Sequence, residues 1–122
     1  MALDARVRCA VVSGYFYGVK DSLLHMSKNC SCNYVPGLWQ LADMGDIGAL
    51  IAPRPLLIET GRHDHLNGER GVANVTEQYG ITRQAYALLD AEERLAHSMF
   101  EGGHRWDGTD VLPWLARWLR SE

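Results

Sequence analysis

The sequence predicts an α/β fold in three layers (α/β/α), with helices on both faces of a sheet of about three parallel strands. Three features carry that expectation. Short, largely apolar runs at Arg6–Ser13, Leu56–Thr60 and Leu95–Phe100 have the length and composition of strands, and their continuity suits strands covered on both faces. Segments with helical spacing or helix-start residues lie between and after them, and a strand–helix–strand–helix order implies parallel pairing through right-handed crossovers. Each run also stops at a glycine, and an acid or a histidine follows two of those glycines.

At 122 residues, 47% apolar and 22% charged, the chain fits one small folded domain spanning 1–122. A net charge of -3 offers no attraction for nucleic acid or an anionic membrane, so neither is expected as a partner. No apolar run has the length of a membrane span, and the N-terminus lacks the apolar core of a signal peptide. A mature or truncated product would lack a signal peptide too, so the compartment stays open, with the cytoplasm favoured.

The first strand, Arg6–Ser13, ends at Gly14. Tyr15 to Lys20 is an aromatic loop, and Asp21 is placed to cap a short helix through Met26. Lys28 to Gly37 has loop composition and closes on Pro36-Gly37, after which Leu38 to Met44 has room for one or two helical turns. Asp46 suits the N-cap of a helix Ile47–Ile51. Pro53 and Pro55 end it, because the residue before a proline is turned away from helix.

After the central strand Leu56–Thr60, Asn67 to Ala91 is expected to be mostly helical. Val72, Val75, Tyr79, Ala85, Leu88 and Leu89 form its apolar face, and Gly80 is a point where it could divide. Thr109 or Asp110 opens the final helix, and Pro113 falls in the first turn, where its missing amide hydrogen costs nothing. Leu112, Leu115, Trp118 and Leu119 make the stripe of that helix. Three parallel strands are few for a doubly covered sheet, so the chain is expected to be part of something larger.

Asp64 and His104 stand in equivalent places, each just past a strand and its glycines. Singly, either is an ordinary turn residue. Together, in acid-then-histidine order, they are candidate catalytic residues, because a carboxylate that accepts the Nδ1 hydrogen of an imidazole leaves Nε2 as a general base. The run His63-Asp64-His65 allows a metal site, since alternate residues point the same way in extended chain. The plainer reading is one acid between two solvent-facing imidazoles, and neither metal nor cofactor is expected. Cys9, Cys30 and Cys32 do not make a disulfide framework. Cys9 reads as a small buried residue, and Cys30 and Cys32 read as free loop thiols. Trp106, Trp114 and Trp118 read as packing residues rather than a sugar-stacking platform.

The run Asp46-Ile47-Gly48-Ala49-Leu50-Ile51-Ala52-Pro53-Arg54-Pro55-Leu56-Leu57-Ile58-Glu59, with Gly61-Arg62-His63-Asp64 and Phe100-Glu101-Gly102-Gly103-His104, resembles the C-terminal half of α/β-hydrolases. The dienelactone hydrolase and acetyl xylan esterase-like branch is the most similar part of that family. The resemblance covers nearly the whole chain and implies a partial α/β-hydrolase fold built from the family's last three strands. It also implies that Asp64 is the triad acid and His104 the triad histidine. The family often has an aromatic and a proline just after the acid, whereas Leu66-Asn67 follow here.

The family's Gly-x-Ser-x-Gly nucleophile elbow does not occur in this chain. Ser13 lies at the carboxyl end of a strand, but Val11-Val12-Ser13-Gly14-Tyr15 lacks the elbow's first glycine, so Ser13 reads as structural. The expected intact relative hydrolyses carboxylic esters or lactones, and this chain alone is expected to be inactive. Two kinds of partner follow as expectations. One is a second copy joined through the open edge strand 6–13 as a homodimer, which would make the chain a non-enzymatic assembly or interaction module. The other is a partner chain carrying the nucleophile, which would make it half of a split esterase.

Overall fold

A computed structural model describes residues 1–24 and 29–120. Its sheet holds three parallel strands, β1 (Ala10–Ser13), β2 (Leu56–Gly61) and β3 (Leu95–Phe100), side by side in chain order. Ala10 is level with Leu56, and Leu56 is level with Leu95. Four α-helical segments accompany it: α1 (Leu38–Leu41), α2 (Met44–Ala49), α3 (Val72–Leu88) and α4 (Val111–Leu119). Helices lie on both faces, as expected of a parallel sheet.

Alternation along β2 sorts the layers. Leu56 and Ile58, both fully buried, join Phe16, Tyr17, Val19, Leu23, Met44, Val75, Tyr86 and Leu95 in the main core beneath α2 and α3. Leu57 and Glu59 face the other way. Leu57 meets Pro113 and Trp114 of α4 across a cleft of about 310 Å³.

β1 is shorter than the predicted Arg6–Ser13. Ladder pairing begins where Ala10 donates to the Pro55 carbonyl at 3.0 Å. Earlier residues would have to pair with Pro53-Arg54-Pro55, two of which have no amide hydrogen. The carbonyls of Asp4 and Val7 are instead taken by the Arg54 guanidinium at 2.9 and 3.1 Å.

The helix predicted for Ile47–Ile51 starts earlier, at Met44. Its N-cap is Asp43, which accepts from the Met44 amide at 2.7 Å, while Asp46 reaches back to the Asp43 amide at 2.8 Å. Asp46 is thus the return arm of a capping box rather than the cap itself. The segment from Lys20 to Leu24 makes one π-helical turn. The predicted continuation to Met26, with His25 and the start of the Lys28–Gly37 loop, lies outside the described residues.

α3 occupies Val72–Leu88 rather than all of Asn67–Ala91, and Gly80 does not divide it. Gly68 and Gly71, with φ of +90° and +55°, delay its start, and Asp90 at φ +50° follows its end. Its buried stripe also differs from the predicted apolar one. Leu88 and Leu89 are exposed, whereas Asn74, Gln78, Thr82 and Tyr86, spaced four apart, are buried. Gln78 accepts from the Gly45 amide at 2.7 Å, and Thr82 donates to the Gly45 carbonyl at 3.0 Å. A Cβ on Gly48 would lie 2.4 Å from the Thr82 hydroxyl, so α2 and α3 meet backbone to side chain. On this face of α3 the buried polar side chains Asn74, Gln78 and Thr82 are tolerated because each one is paired.

In α4, Asp110 is the N-cap position as anticipated, but its side chain accepts from the Ser98 hydroxyl at 2.5 Å instead of capping the helix. Val111 is buried, whereas Leu112 and Leu119 of the predicted stripe are exposed. Among the described residues, no helix is long and apolar enough to cross a membrane.

Candidate functional site

Asp64 and His104 are brought together at the carboxyl ends of the strands, the usual location of ligand sites in open α/β sheets. The Asp64 Oδ2 to His104 Nδ1 distance is 2.8 Å. The other carboxylate oxygen, Oδ1, accepts from the Leu66 amide at 2.9 Å, so Asp64 also caps the short turn His65–Asn67. Asp64 is buried, whereas the His104 side chain is half exposed. With an acceptor opposite Nδ1, the neutral imidazole carries its hydrogen there. Nε2, for which there is no hydrogen bond among the described residues, is left as the basic atom of the half-exposed ring.

The surroundings lock both loops. Arg62 donates to the Phe100 carbonyl at 3.0 Å and His63 to the Gly102 carbonyl at 2.9 Å, which continues the β2–β3 ladder past the strands. The residue whose missing side chain allows this is Gly61. A Cβ there would lie 2.5 Å from the Gly103 carbonyl oxygen and 2.7 Å from that of Gly102. The paired glycines before His104 therefore matter mainly through what they present to Gly61. Gly14, at φ +64°, lies beneath the imidazole, and a Cβ there would come within 3.0 Å of His104 Cε1.

The floor of the acid loop is polar and satisfied. Asn67 donates to the Gly61 carbonyl at 3.0 Å, and Asn74 donates to the carbonyls of Asn67 at 2.7 Å and Gly18 at 3.1 Å. Tyr17 lies close to Asp64, and burial, then the neighbouring Tyr15 phenol, pushes its phenol up to about 12. It stays neutral at any working pH, with its hydroxyl 3.2 Å from Asn29 Oδ1.

The two flanking histidines part company. His63 Nε2 lies 3.0 Å from Glu101, which also pairs with Arg62, whereas the His65 ring stands edge-on to His104 at 6.5 Å between centroids. Among the described residues, no three metal-ligating side chains converge.

Ser13 is held at 2.7 Å on Glu59. Cys30 and Cys32 are exposed free thiols and Cys9 is partly buried. Hydrogen bonds from Cys32 lower the Cys30 thiol, and burial raises that of Cys9. Trp106, grouped with Trp114 and Trp118 as a packing residue in the sequence, is largely exposed.

Sequence reasoning placed Asp64 and His104 but gave no role to Gly14, Glu59 or Asn74. Glu59 had a readable signal, an acid inside an otherwise apolar central strand. Gly14 and Asn74 had none, because their importance lies in contacts between distant segments.

No protein-family model and no curated protein matches the sequence. Two solved structures resemble it in fold. One is a carbohydrate esterase family 15 glucuronoyl esterase from Caldicellulosiruptor kristjansonii, with a TM-score of 0.68 and 18% identity over 93% of this chain and 36% of that one. The other is the methylesterase BT1017, with a TM-score of 0.66 and 21% identity over 94% of this chain and 25% of that one. Both are esterases by name, and the chain shares with them a partial α/β fold of three parallel strands with flanking helices. It spans about a third and a quarter of their respective lengths.

Proposed function

We propose that Asp64 and His104 are the acid and histidine of a Ser-His-Asp triad in a carboxylic-ester hydrolase, and that the nucleophile comes from polypeptide outside these residues. The observation that carries this reading is the 2.8 Å Asp64–His104 contact through Nδ1, on a half-exposed ring. A serine hydroxyl placed about 2.6–3.2 Å from Nε2 would lose its proton to that atom as it attacks an ester carbonyl. The imidazolium, held by Asp64, would then return the proton to the departing alcohol. The oxyanion-hole amides would arrive with the nucleophile segment. Esterase activity in the two structural neighbours, by their names, supports the reaction class, and the sequence motifs support the dienelactone hydrolase and acetyl xylan esterase-like branch.

Nitrogen-15 NMR of the His104 ring tests the pair. The expected result is a neutral ring protonated at Nδ1, shifting towards the Nε2 tautomer in Asp64→Ala. A wild-type ring protonated at Nε2 refutes the role of Asp64. A short-chain p-nitrophenyl ester tests the missing nucleophile, and the chain alone should give no His104-dependent turnover. Turnover abolished by His104→Ala would place a working nucleophile within these residues.

A second reading is favoured by the free edge of β1. Ala10 and Gly14 donate toward β2, so the intervening Val11 and Ser13 turn their backbone amides and carbonyls outward. Two copies could pair there antiparallel as a homodimer, or a nucleophile-bearing partner strand could occupy the same edge. Light scattering at micromolar concentration distinguishes them, because a stable monomer excludes the homodimer.

A further inference from the structure

Glu59 has no part in the acid–histidine pair, yet it is 1% exposed. A buried carboxylate persists only with strong partners. Among the described residues none of them is a cation. Oε1 accepts from the Ser13 hydroxyl at 2.7 Å and from the Asp107 amide at 3.2 Å, and Oε2 accepts from the Gly108 amide at 2.7 Å. Successive backbone amides converging on one anion form the concave nest that oxyanions favour, and Gly108 at φ +81° adopts a conformation that a side chain would resist.

The segment so captured carries His104. Its near end is tied through Gly102 to the His63 amide, and its far end is tied through Asp107 and Gly108 to Glu59. Between these ties lies irregular backbone, with His104, Arg105 and Trp106 all exposed. Arg105 adds an ion pair to Asp107 at 3.0 Å, but on the solvent side, where such pairs hold little. Without the Glu59 bonds the next tie beyond His104 among the described residues is Asp110 on the Ser98 hydroxyl, and that longer free span would let the imidazole swing away from Asp64.

We propose that Glu59 is the positioning residue of His104, with its buried carboxylate fastening the far end of the histidine loop to β2 and, through Ser13, to the end of β1. The assignment rests on His104 being the triad histidine, but it concerns the ring's placement and not turnover. It also gives Ser13 a task, as the neutral donor that ties the Glu59 carboxylate to the end of β1.

The test follows the loop in the isolated chain by amide hydrogen exchange and by the His104 ring resonances. In Glu59→Ala, the Asp107 and Gly108 amides should lose protection by about tenfold or more, as expected when one hydrogen bond is lost. The His104 ring should lose its fixed Nδ1 protonation. Glu59→Gln keeps one acceptor oxygen and should retain protection at Gly108 while losing it at Asp107. Val75→Ala, a core deletion in α3 remote from the loop, should destabilise the protein with the His104 resonances unchanged. A folded Glu59→Ala variant with wild-type His104 resonances overturns the proposal. Should that variant not fold, unchanged exchange of both loop amides in Glu59→Gln overturns it instead. A chain that proves to have no esterase role would still give the same exchange pattern, so the two readings fail separately.

Discussion

Replacing Gly61 with alanine should be among the more damaging single-methyl additions in this protein, although its φ lies outside the left-handed region. The added Cβ would sit 2.5 Å from the Gly103 carbonyl oxygen and 2.7 Å from that of Gly102. Both are backbone atoms that cannot rotate aside. Relief requires the acid and histidine loops to separate, which strains the Arg62–Phe100 and His63–Gly102 hydrogen bonds of 3.0 and 2.9 Å. Overpacking costs about 1–3 kcal/mol and each of the two weakened hydrogen bonds about 1, so the expected loss is about 3–5 kcal/mol. Gly80→Ala is the matched control. Nothing lies within 4 Å of its added Cβ in the middle of α3, so it should stabilise by about 0.5–1 kcal/mol through helix propensity. Urea unfolding at neutral pH measures both. Gly61→Ala within about 0.5 kcal/mol of wild type, the range usual for a change that meets no such clash, would refute the close approach of the two loops and the site geometry built on it.

Other consequences are equally open to measurement. Burial, reinforced by the nearby positive Arg62, pulls the His97 imidazole down from 6.5 to about 4. Between those values the unfolded chain binds a proton at this site that the folded chain does not. Stability should therefore be full above pH 6.5 and fall by about 1–2 kcal/mol, after allowance for solvent screening, as pH drops to about 4. Hydrogen bonds from Arg6 and Thr109 hold Asp4 and Asp107 below 3.8, outside this window. His97→Gln should flatten the slope, and an unchanged slope would assign it elsewhere. Asp43→Ala should cost about 2–3 kcal/mol by thermal or urea unfolding, because it uncaps α2 and also strands the buried Val19 amide, 3.0 Å from the carboxylate. In a thiol titration with an aromatic disulfide, exposed Cys30 and Cys32 should react rapidly without denaturant, and Cys9 slowly. Equal rates for all three would contradict the burial of Cys9.

The strand cores and the acid–histidine pair were legible because both are written locally. Leu56–Thr60 and Leu95–Phe100 have strand composition whatever surrounds them, and a glycine followed by Asp64 or His104 marks a strand end that carries a polar group. The buried face of α3 was legible only in part: Val75 is buried and Tyr79 packs against the core as predicted, but Leu88 and Leu89 are exposed. Periodicity selects apolar residues, whereas the close approach of Gly45 and Gly48 made the polar Gln78 and Thr82 the better partners. The start of α2 was missed because Asp43 and Asp46 are both good caps, and only their reciprocal bonding shows which one stands first.

By itself the sequence determined the α/β class and the parallel order, and it singled out Asp64 and His104 as candidates, since each follows from composition and spacing along a few residues. Only the tertiary structure decided that Asp64 and His104 stand 2.8 Å apart, that Gly61 permits this, and that Glu59 holds the loop beyond the histidine. These are contacts between residues distant in the chain. Their energies depend on which backbone groups face each other after folding, and no local pattern encodes that.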